Sequence, residues 1–338
     1  MRTDPKYSII ITAFNRREYI QAAFDSAVSQ DYTGSYEIII VSNFVDKNIY
    51  ARAQNNPSFV KYIFDEAESL GPKQAAGILE ARGEWICLLD DDDIFFRNKL
   101  SELDNIIRDT QNAGIIKNPV HLINANGDEI QYQNQKNLLY SLMDPIGYFP
   151  EAKKKDYNLF HKILSVQNDY FKFYAIFSNN SSLTIKREIL LNHLEYVKSL
   201  KLMSEPLFLS LVLVERKDLI VTNKLLGMYR IHSNNFSNIN DVDPMVSLNK
   251  LKKIVDDMEL SSSIPLESRY RNVLQTTLSR FKILYIYRMY LHKQLTFKQL
   301  IKPSLIITLL RSVFGRPQSR IFMLQFRFFR NIYLCITQ

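Results

Sequence analysis

The sequence predicts an α/β fold, a mainly parallel central sheet flanked by helices, with a helical extension at the C-terminus. Three observations predict it. Short, unbroken apolar runs at residues 7–12, 36–41, 59–64 and 85–89 alternate with helix-periodic or polar stretches, the pattern of parallel strands buried on both faces. The fourth run, Gly83-Glu84-Trp85-Ile86-Cys87-Leu88-Leu89, stops in four consecutive carboxylates, Asp90, Asp91, Asp92 and Asp93, and the carboxyl end of a parallel strand is where an open α/β sheet keeps its ligand. From Ser268 onward the chain holds 13 Lys and Arg and no acid, which sets the extension apart from the rest.

In order along the chain, Tyr7-Ser8-Ile9-Ile10-Ile11-Thr12 reads as the first strand and Ala13-Phe14-Asn15 as the loop that leaves it. An amphipathic helix follows over 16–29, with Tyr19, Ile20, Ala23 and Ala27 on its apolar side. Residues 36–41 and 59–64 are the next two strands. Gly71-Pro72 breaks the chain before a helix over 73–81, which leads into the acid-ended strand. A helix over 95–103 comes next, with Asp93 placed to cap it. Residues 111–175 are rich in Asn and Gln and show no clear period, though Ala125-Asn126-Gly127-Asp128 reads as a hairpin turn. A strand at 181–185 and a helix at 187–198 precede an apolar run at 207–214, and Pro206 suits the start of a helix there. Residues 233–244 read as a linker, and everything beyond as helical. The division this implies is a first domain at 1–236 and a basic, aromatic-rich helical region at 245–338.

With 46% hydrophobic and 23% charged residues among 338, the chain is globular and large enough for one big domain plus an appendage. Cys87 and Cys335 are far apart and suggest neither a disulfide framework nor a zinc site, so a reducing compartment fits. Met1 to Lys6 run straight into the first strand without a signal-peptide layout. No uncharged apolar stretch reaches the ~18–20 residues of a membrane span. A cytoplasmic protein is expected. The net charge of +8 belongs to the tail, because residues 1–267 hold all 35 acids against 30 bases. That asymmetry removes the nucleic-acid reading that a basic average would invite, and no groove-reading motif accompanies the charge. The tail interleaves aromatics with cations at 280–291 and again at 320–334, where Phe322, Phe326, Phe328, Phe329 and Tyr333 accompany Arg320, Arg327 and Arg330. Such helices suit an anionic membrane surface at the inner face of the cell membrane. The alternative is a helical bundle packed with its basic face on the acidic body.

Four adjacent like charges repel one another, so a fold gathers them at a strand end only with a counter-charge. Hard divalent cations prefer carboxylate oxygens and supply one. A solvated acidic turn would also carry the charge, but its flanks would be polar rather than Leu88-Leu89 and Ile94-Phe95-Phe96.

Four segments in this order resemble the inverting nucleotide-sugar glycosyltransferases of family 2, of the bacterial surface-polysaccharide type, over roughly residues 6–236. Residues 8–16, Ser-Ile-Ile-Ile-Thr-Ala-Phe-Asn-Arg, look like that family's opening strand and nucleotide loop. Residues 26–32 with 37–41 look like its first helix end and second strand, and 83–100 like the strand with the metal-binding acids. Tyr229-Arg230-Ile231-His232-Ser233-Asn234-Asn235-Phe236-Ser237 looks like the segment that closes the catalytic domain. The resemblance implies the GT-A fold, with a Rossmann-like sheet, and a metal-dependent transfer from a nucleotide-sugar donor. A UDP-sugar is the first choice of donor. The acceptor would be a hydroxyl of a growing lipid-linked surface glycan, of lipopolysaccharide, capsule or exopolysaccharide.

The resemblance also implies roles. Asp92 would bind Mn2+ or Mg2+, with His232 as a second candidate beside the metal or diphosphate, against the alternative of a hydrogen-bonded loop histidine. Asp90 and Asp91 would orient the nucleotide, with Thr12, Ala13, Phe14 and Asn15 forming its loop. Lys73 and Arg230 would meet the phosphates, or Arg230 would be a surface ion pair. Two departures stand out. The second strand ends in Ser42-Asn43 where the family has an acidic pair, leaving Asn43 to meet the nucleotide without charge. Where the family has Glu-Asp before an apolar helix, this chain has Glu205-Pro206. One alignment puts Glu205 on the Glu and another on the Asp; in both it is the candidate general base, and in neither does a second acid remain. An ordinary helix-start acid is the plain alternative. The rival function is a GT-A-like module that binds a sugar nucleotide or a partner without efficient catalysis.

Overall fold

The computed structural model describes residues 4–130, 179–233, 235 and 243–292. Expectations about most of the linker, about Asn234, Phe236 and Ser237, about Cys335 and about the second basic run at 320–334 lie outside the described residues.

The apolar runs do form a parallel sheet. β1 (Tyr7–Ala13) pairs in parallel with β2 (Tyr36–Ser42) on one side and β4 (Trp85–Asp90) on the other, and β3 (Val60–Phe64) extends it beyond β2. On the other flank β8 (Leu183–Lys186) lies antiparallel between β4 and β6 (Ala113–Lys117), and β9 (Asp218–Val221) closes the edge parallel to β6. The order is β3-β2-β1-β4-β8-β6-β9.

Alternation along the strands splits the interior into two cores. Ile9, Ile11, Ile38, Ile40, Cys87 and Leu89 face one side, where α1 (Ile20–Val28), α2 (Lys47–Asn55) and α4 (Lys99–Asp109) contribute Phe24, Ile49 and Leu103. Ile10, Ile39, Val41, Ile86 and Leu88 face the other, where α3 (Leu70–Glu80), α5 (Arg187–Asn192), α6 (Leu194–Lys198) and α7 (Glu205–Val214) contribute Ile78, Leu190, Val197 and Phe208. That second core also takes in α8 (Pro244–Ser263) and α9 (Ser268–Leu291) through Ile254, Met258, Val273 and Leu274. The described part of the basic tail, residues 268–292, therefore packs into this second core. Among the described residues no helix is long and apolar enough to cross a membrane.

Several boundaries differ from the sequence reading, each for a local reason. The helix expected from 16 begins at Ile20, because Asn15 turns the chain with φ 59°. α2 is an addition: its polar sequence buries only Ile49 and Ala53, and Asp46 caps it by accepting the Asn48 and Ile49 N–H groups. Gly71-Pro72 lies inside the first turn of α3, where proline lacks no helical partner. A Cβ at Gly71 would come within 2.3 Å of the Val197 carbonyl oxygen, so the close approach of α3 to the end of α6 needs glycine. The helix placed at 95–103 is instead β5 (Ile94–Phe95) followed by α4, whose N-cap is Asn98, so Asp93 caps no helix. The strand expected at 181 begins at Leu183, after a 3-10 turn at Asn180–Ser182, and the helix expected at 187–198 divides at His193. The Ala125–Asp128 turn forms as expected, with Gly127 at φ 95° and an antiparallel bridge from Ile123 to Glu129.

β5, β10 (Gly227–Arg230) and β7 (His121–Ile123) make a second, three-stranded sheet in the order β5-β10-β7. A Cβ at Gly227 would meet the Ile94 carbonyl oxygen at 2.8 Å. This small sheet carries Arg230 and His232 back to the acidic strand end.

Candidate active site

Register brings the sequence-predicted residues together. Thr12 pairs with Asp90 across β1 and β4, and Ala13 with Ser42 across β1 and β2. The carboxyl ends of three strands thus lie side by side. Phe14 donates its backbone N–H to Asp91 Oδ2 at 3.1 Å. Asn15 and Asn43 clasp each other: Asn15 N–H donates to Asn43 Oδ1 at 3.0 Å, and Asn43 Nδ2 to Asn15 Oδ1 at 2.8 Å. Arg16 ion-pairs with both Asp91 and Asp92.

The four acids do not act as one set. Carboxylate oxygens of Asp90, Asp92 and Asp93 all lie within 4.8 Å of one another, whereas Asp91 is turned to Phe14 and Arg16. Asp93 enters the group because the chain turns tightly after β4, its N–H donating to the Asp90 carbonyl at 3.2 Å. Its carboxylate then accepts the Arg230 N–H at 2.9 Å and the Asn179 side-chain amide at 3.3 Å. Burial, reinforced by Asp92, pushes Asp93 up to about 7. Burial with Asp92 and Asp93 likewise raises Asp90. Three converging oxygen donors, costly to charge without a cation, fit a hard divalent ion better than a soft one.

His232 stands beside this group, its Nε2 3.0 Å from Asp92 Oδ2 and its ring 4.9 Å from that of Tyr19. Arg230, expected on the diphosphate or in a surface ion pair, is buried and spent on backbone. Its Nε donates to the Asp92 carbonyl at 2.9 Å, one guanidinium nitrogen to the Asn124 and Ala125 carbonyls at 3.2 and 3.1 Å, and it lies over Tyr19. Lys73 lies in α3 with its ammonium 4.9 Å from the Phe14 ring, buried and without a hydrogen-bond partner. Burial lowers its pKa.

Glu205 is the first residue of α7 and is buried, and burial raises its pKa. Asn179 N–H donates to Glu205 Oε1 at 2.9 Å while its side chain reaches Asp93, so one residue touches both the candidate base and the acid cluster. Asn179 holds φ 84°, a strained setting for a residue with a side chain, and its Oδ1 accepts the Ser182 N–H at 3.0 Å. Sequence reasoning missed it, having nothing to set it apart from the Asn-rich stretch before it. It also missed two wholly buried lysines. Lys99 donates to Asn118 Oδ1 at 2.9 Å and to the Ser181 carbonyl at 3.0 Å, and Lys117 bonds the Ser182 hydroxyl. Burial lowers Lys99 to about 8 and Lys117 to about 7. Ser181 Oγ in turn accepts the Asp90 N–H at 2.9 Å. The signal available was weak, since lysines inside a helix and a strand read as solvated.

Comparison with known proteins agrees with this geometry. The profile of the family described as Glycosyl transferase family 2 matches residues 8–174, which include all four acids. A protein of Rickettsia prowazekii named as an uncharacterized glycosyltransferase is 25% identical over 224 residues, 58% of this chain and 70% of that protein. The GalNAc(5)-diNAcBac-PP-undecaprenol beta-1,3-glucosyltransferase of Campylobacter jejuni is 31% identical over 103 residues, 29% of this chain and 33% of its own. Among solved structures, S. aureus TarS in complex with UDP superposes with a TM-score of 0.53 at 15% identity, covering 92% of this chain and 81% of that one. A mannosyltransferase from Pyrobaculum calidifontis in complex with GDP-Man and Mn2+ gives 0.54 at 10% identity, covering 95% and 79%. These likenesses establish the fold. With the family match spanning the strands that hold the acids, the chain is a GT-A glycosyltransferase and belongs to glycosyl transferase family 2.

Proposed function

We propose that this enzyme transfers a sugar, with inversion, from a nucleotide-sugar donor to a hydroxyl of a growing lipid-linked surface glycan. A UDP-sugar is the first donor to test. The observation that carries the reading is the cluster of Asp90, Asp92 and Asp93 at the end of β4, tied through Asn179 to Glu205.

Asp92 and His232, with Asp90 and Asp93 beside them, would hold Mn2+ or Mg2+. When bound, that ion supplies a Lewis acid for the charge growing on the departing diphosphate. The chain does the remainder. Thr12, Ala13, Phe14, Asn15 and Asn43 shape the nucleotide pocket, and Asp91 keeps the loop in place through the Phe14 N–H. Lys73 brings an unsatisfied ammonium toward that loop, which suits a phosphate oxygen. Glu205 takes the proton of the acceptor hydroxyl as it attacks. Burial makes its carboxylate a stronger base than an exposed one, and the Asn179 N–H fixes its orientation. A lipid-linked acceptor is supported by the Campylobacter relative, named for an undecaprenol-diphosphate substrate. Contact with an anionic inner membrane surface would fall to the basic, aromatic-rich residues beyond 292.

The test is thermal shift with Mn2+ or Mg2+ and a panel of UDP-, GDP-, TDP- and CDP-sugars, followed by donor hydrolysis. Stabilisation by one donor only with metal, and its slow hydrolysis, is the expected result. No stabilisation by any donor with either metal overturns the donor assignment. Co-sedimentation of the full chain with anionic but not neutral vesicles tests the membrane contact separately.

A further inference from the structure

The segment that leads into α7 is held by α8, a helix that follows it in sequence. Asp257 lies on the inner face of α8 and is buried. Its carboxylate accepts three consecutive backbone N–H groups: Lys201 on Oδ1 at 2.8 Å, and Leu202 and Met203 on Oδ2 at 2.7 and 2.8 Å. The next residues are Ser204 and Glu205. Ser204 is anchored on the opposite side, its hydroxyl donating to Asn180 Oδ1 at 2.6 Å and accepting from Gln74 at 3.3 Å. From α3, Leu70 and Gly71 donate their N–H groups to the Lys201 and Leu200 carbonyls, each at 3.1 Å. Every backbone N–H from 201 to 203 therefore ends on one carboxylate, whose three acceptor contacts fix both the path and the tilt of the chain entering α7. Charge-assisted bonds of this kind are the strong ones, and Asp256 beside it ion-pairs with Lys201 at 2.6 Å.

We infer that Asp257 is a positioning residue for Glu205: the C-terminal helices set the aim of the general base. This rests on the assignment of Glu205 as base. It makes α8 a working part of the transferase, joined to the acid cluster by the path Asp257, residues 201–203, Glu205, Asn179, Asp93. It also accounts for a buried acid with no cation paired to it among the described residues, since three N–H dipoles take that place.

The experiment uses the full chain and whichever nucleotide sugar of the panel turns over fastest. Asp257→Asn swaps one acceptor oxygen for a donor, so even with the amide oxygen turned to Leu202 and Met203 the Lys201 N–H loses its acceptor and meets a donor. It is expected to lower kcat at least tenfold, with donor KM and donor affinity within twofold. Amide exchange at Lys201, Leu202 and Met203 should quicken in the same variant. Met258→Ala, which opens a cavity in the same helix, serves as the structural control. It should lower the melting temperature as much or more and leave kcat unchanged. In a Glu205→Gln background, Asp257→Asn should cost nothing further, because both act through one group. Unchanged kcat in Asp257→Asn beside a defective Glu205→Gln overturns the inference and leaves the base assignment standing. Full turnover in Glu205→Gln overturns that assignment itself, and with it the inference. An equal kcat loss in Met258→Ala reduces Asp257 to a packing role and overturns the inference as well.

Discussion

Asp93 accepts the backbone N–H of Arg230 at 2.9 Å across 137 residues of sequence, so the acid cluster and β10 are fastened directly to each other. Arg230 returns the hold through its guanidinium, which reaches the Asp92, Asn124 and Ala125 carbonyls. Arg230→Met leaves those carbonyls without their donor. A loss of about 2–3 kcal/mol in urea unfolding is expected, together with a weaker response to Mn2+ in thermal shift.

Asp92 is the acid that meets both Arg16 and His232. Asp92→Asn keeps the shape and removes the charge. The Mn2+-dependent rise in melting temperature should vanish, and turnover should fall on the order of 100-fold or more. A variant that still responds to Mn2+ would move the metal site elsewhere.

Glu205→Gln keeps the hydrogen-bond reach to Asn179 but cannot take a proton. Turnover should drop about 10²–10⁴-fold, with donor affinity by calorimetry unchanged. Collapse of donor affinity instead would make Glu205 part of the donor site.

Lys73 pairs a functional expectation with a structural cost. Its ammonium is buried and unpartnered, which burdens the fold. Lys73→Met should raise the urea midpoint and raise donor KM about tenfold. A more stable variant with an unchanged KM would separate the lysine from the donor.

Lys117 predicts a pH dependence of stability. Burial lowers its ammonium in the fold from 10.5 to about 7. Below about 7 both folded and unfolded chains carry the proton, and the fold bears the full cost of a buried charge. Between the two values the unfolded chain holds a proton that the folded chain has released, so raising the pH favours the fold. The urea midpoint should climb from pH 7 toward 9.5, and Lys117→Met should flatten that climb. An identical slope in the variant would assign the climb to other groups.

The parts legible in the sequence are those with a local signature. Strands such as Ile9-Ile10-Ile11 and Ile38-Ile39-Ile40 are apolar on both faces, and four adjacent acids after Leu89 have few innocent explanations. Parts defined by distant contacts were hidden. α2 buries only Ile49 and Ala53 and looks like solvent-facing chain. Asn179 owes its place to a positive φ and to two partners, 26 and 86 residues away. The aromatic and basic helix α9 reads equally well as facing lipid or protein, and its place is decided by distant partners, Tyr270, Val273 and Leu274 lying in one core with Phe208 of α7 and Met258 of α8.

The antiparallel strand β8 has a consequence for how the molecule comes into being. β4 finds its second neighbour only about 100 residues later, when Cys87 meets Thr184, and β6 waits some 70 residues for the same partner. Such separations delay pairing, because the loop must close before the contact rewards it. A nascent chain can assemble β1, β2, β3 and β4 early, but it holds the strand of acids as a bare edge until β8 arrives, and a bare edge invites pairing with another chain. The carboxylates at the tip of that edge repel like strands from neighbouring molecules. The order of pairing thus leaves the acid-ended strand as the last of the four parallel strands to gain its second neighbour.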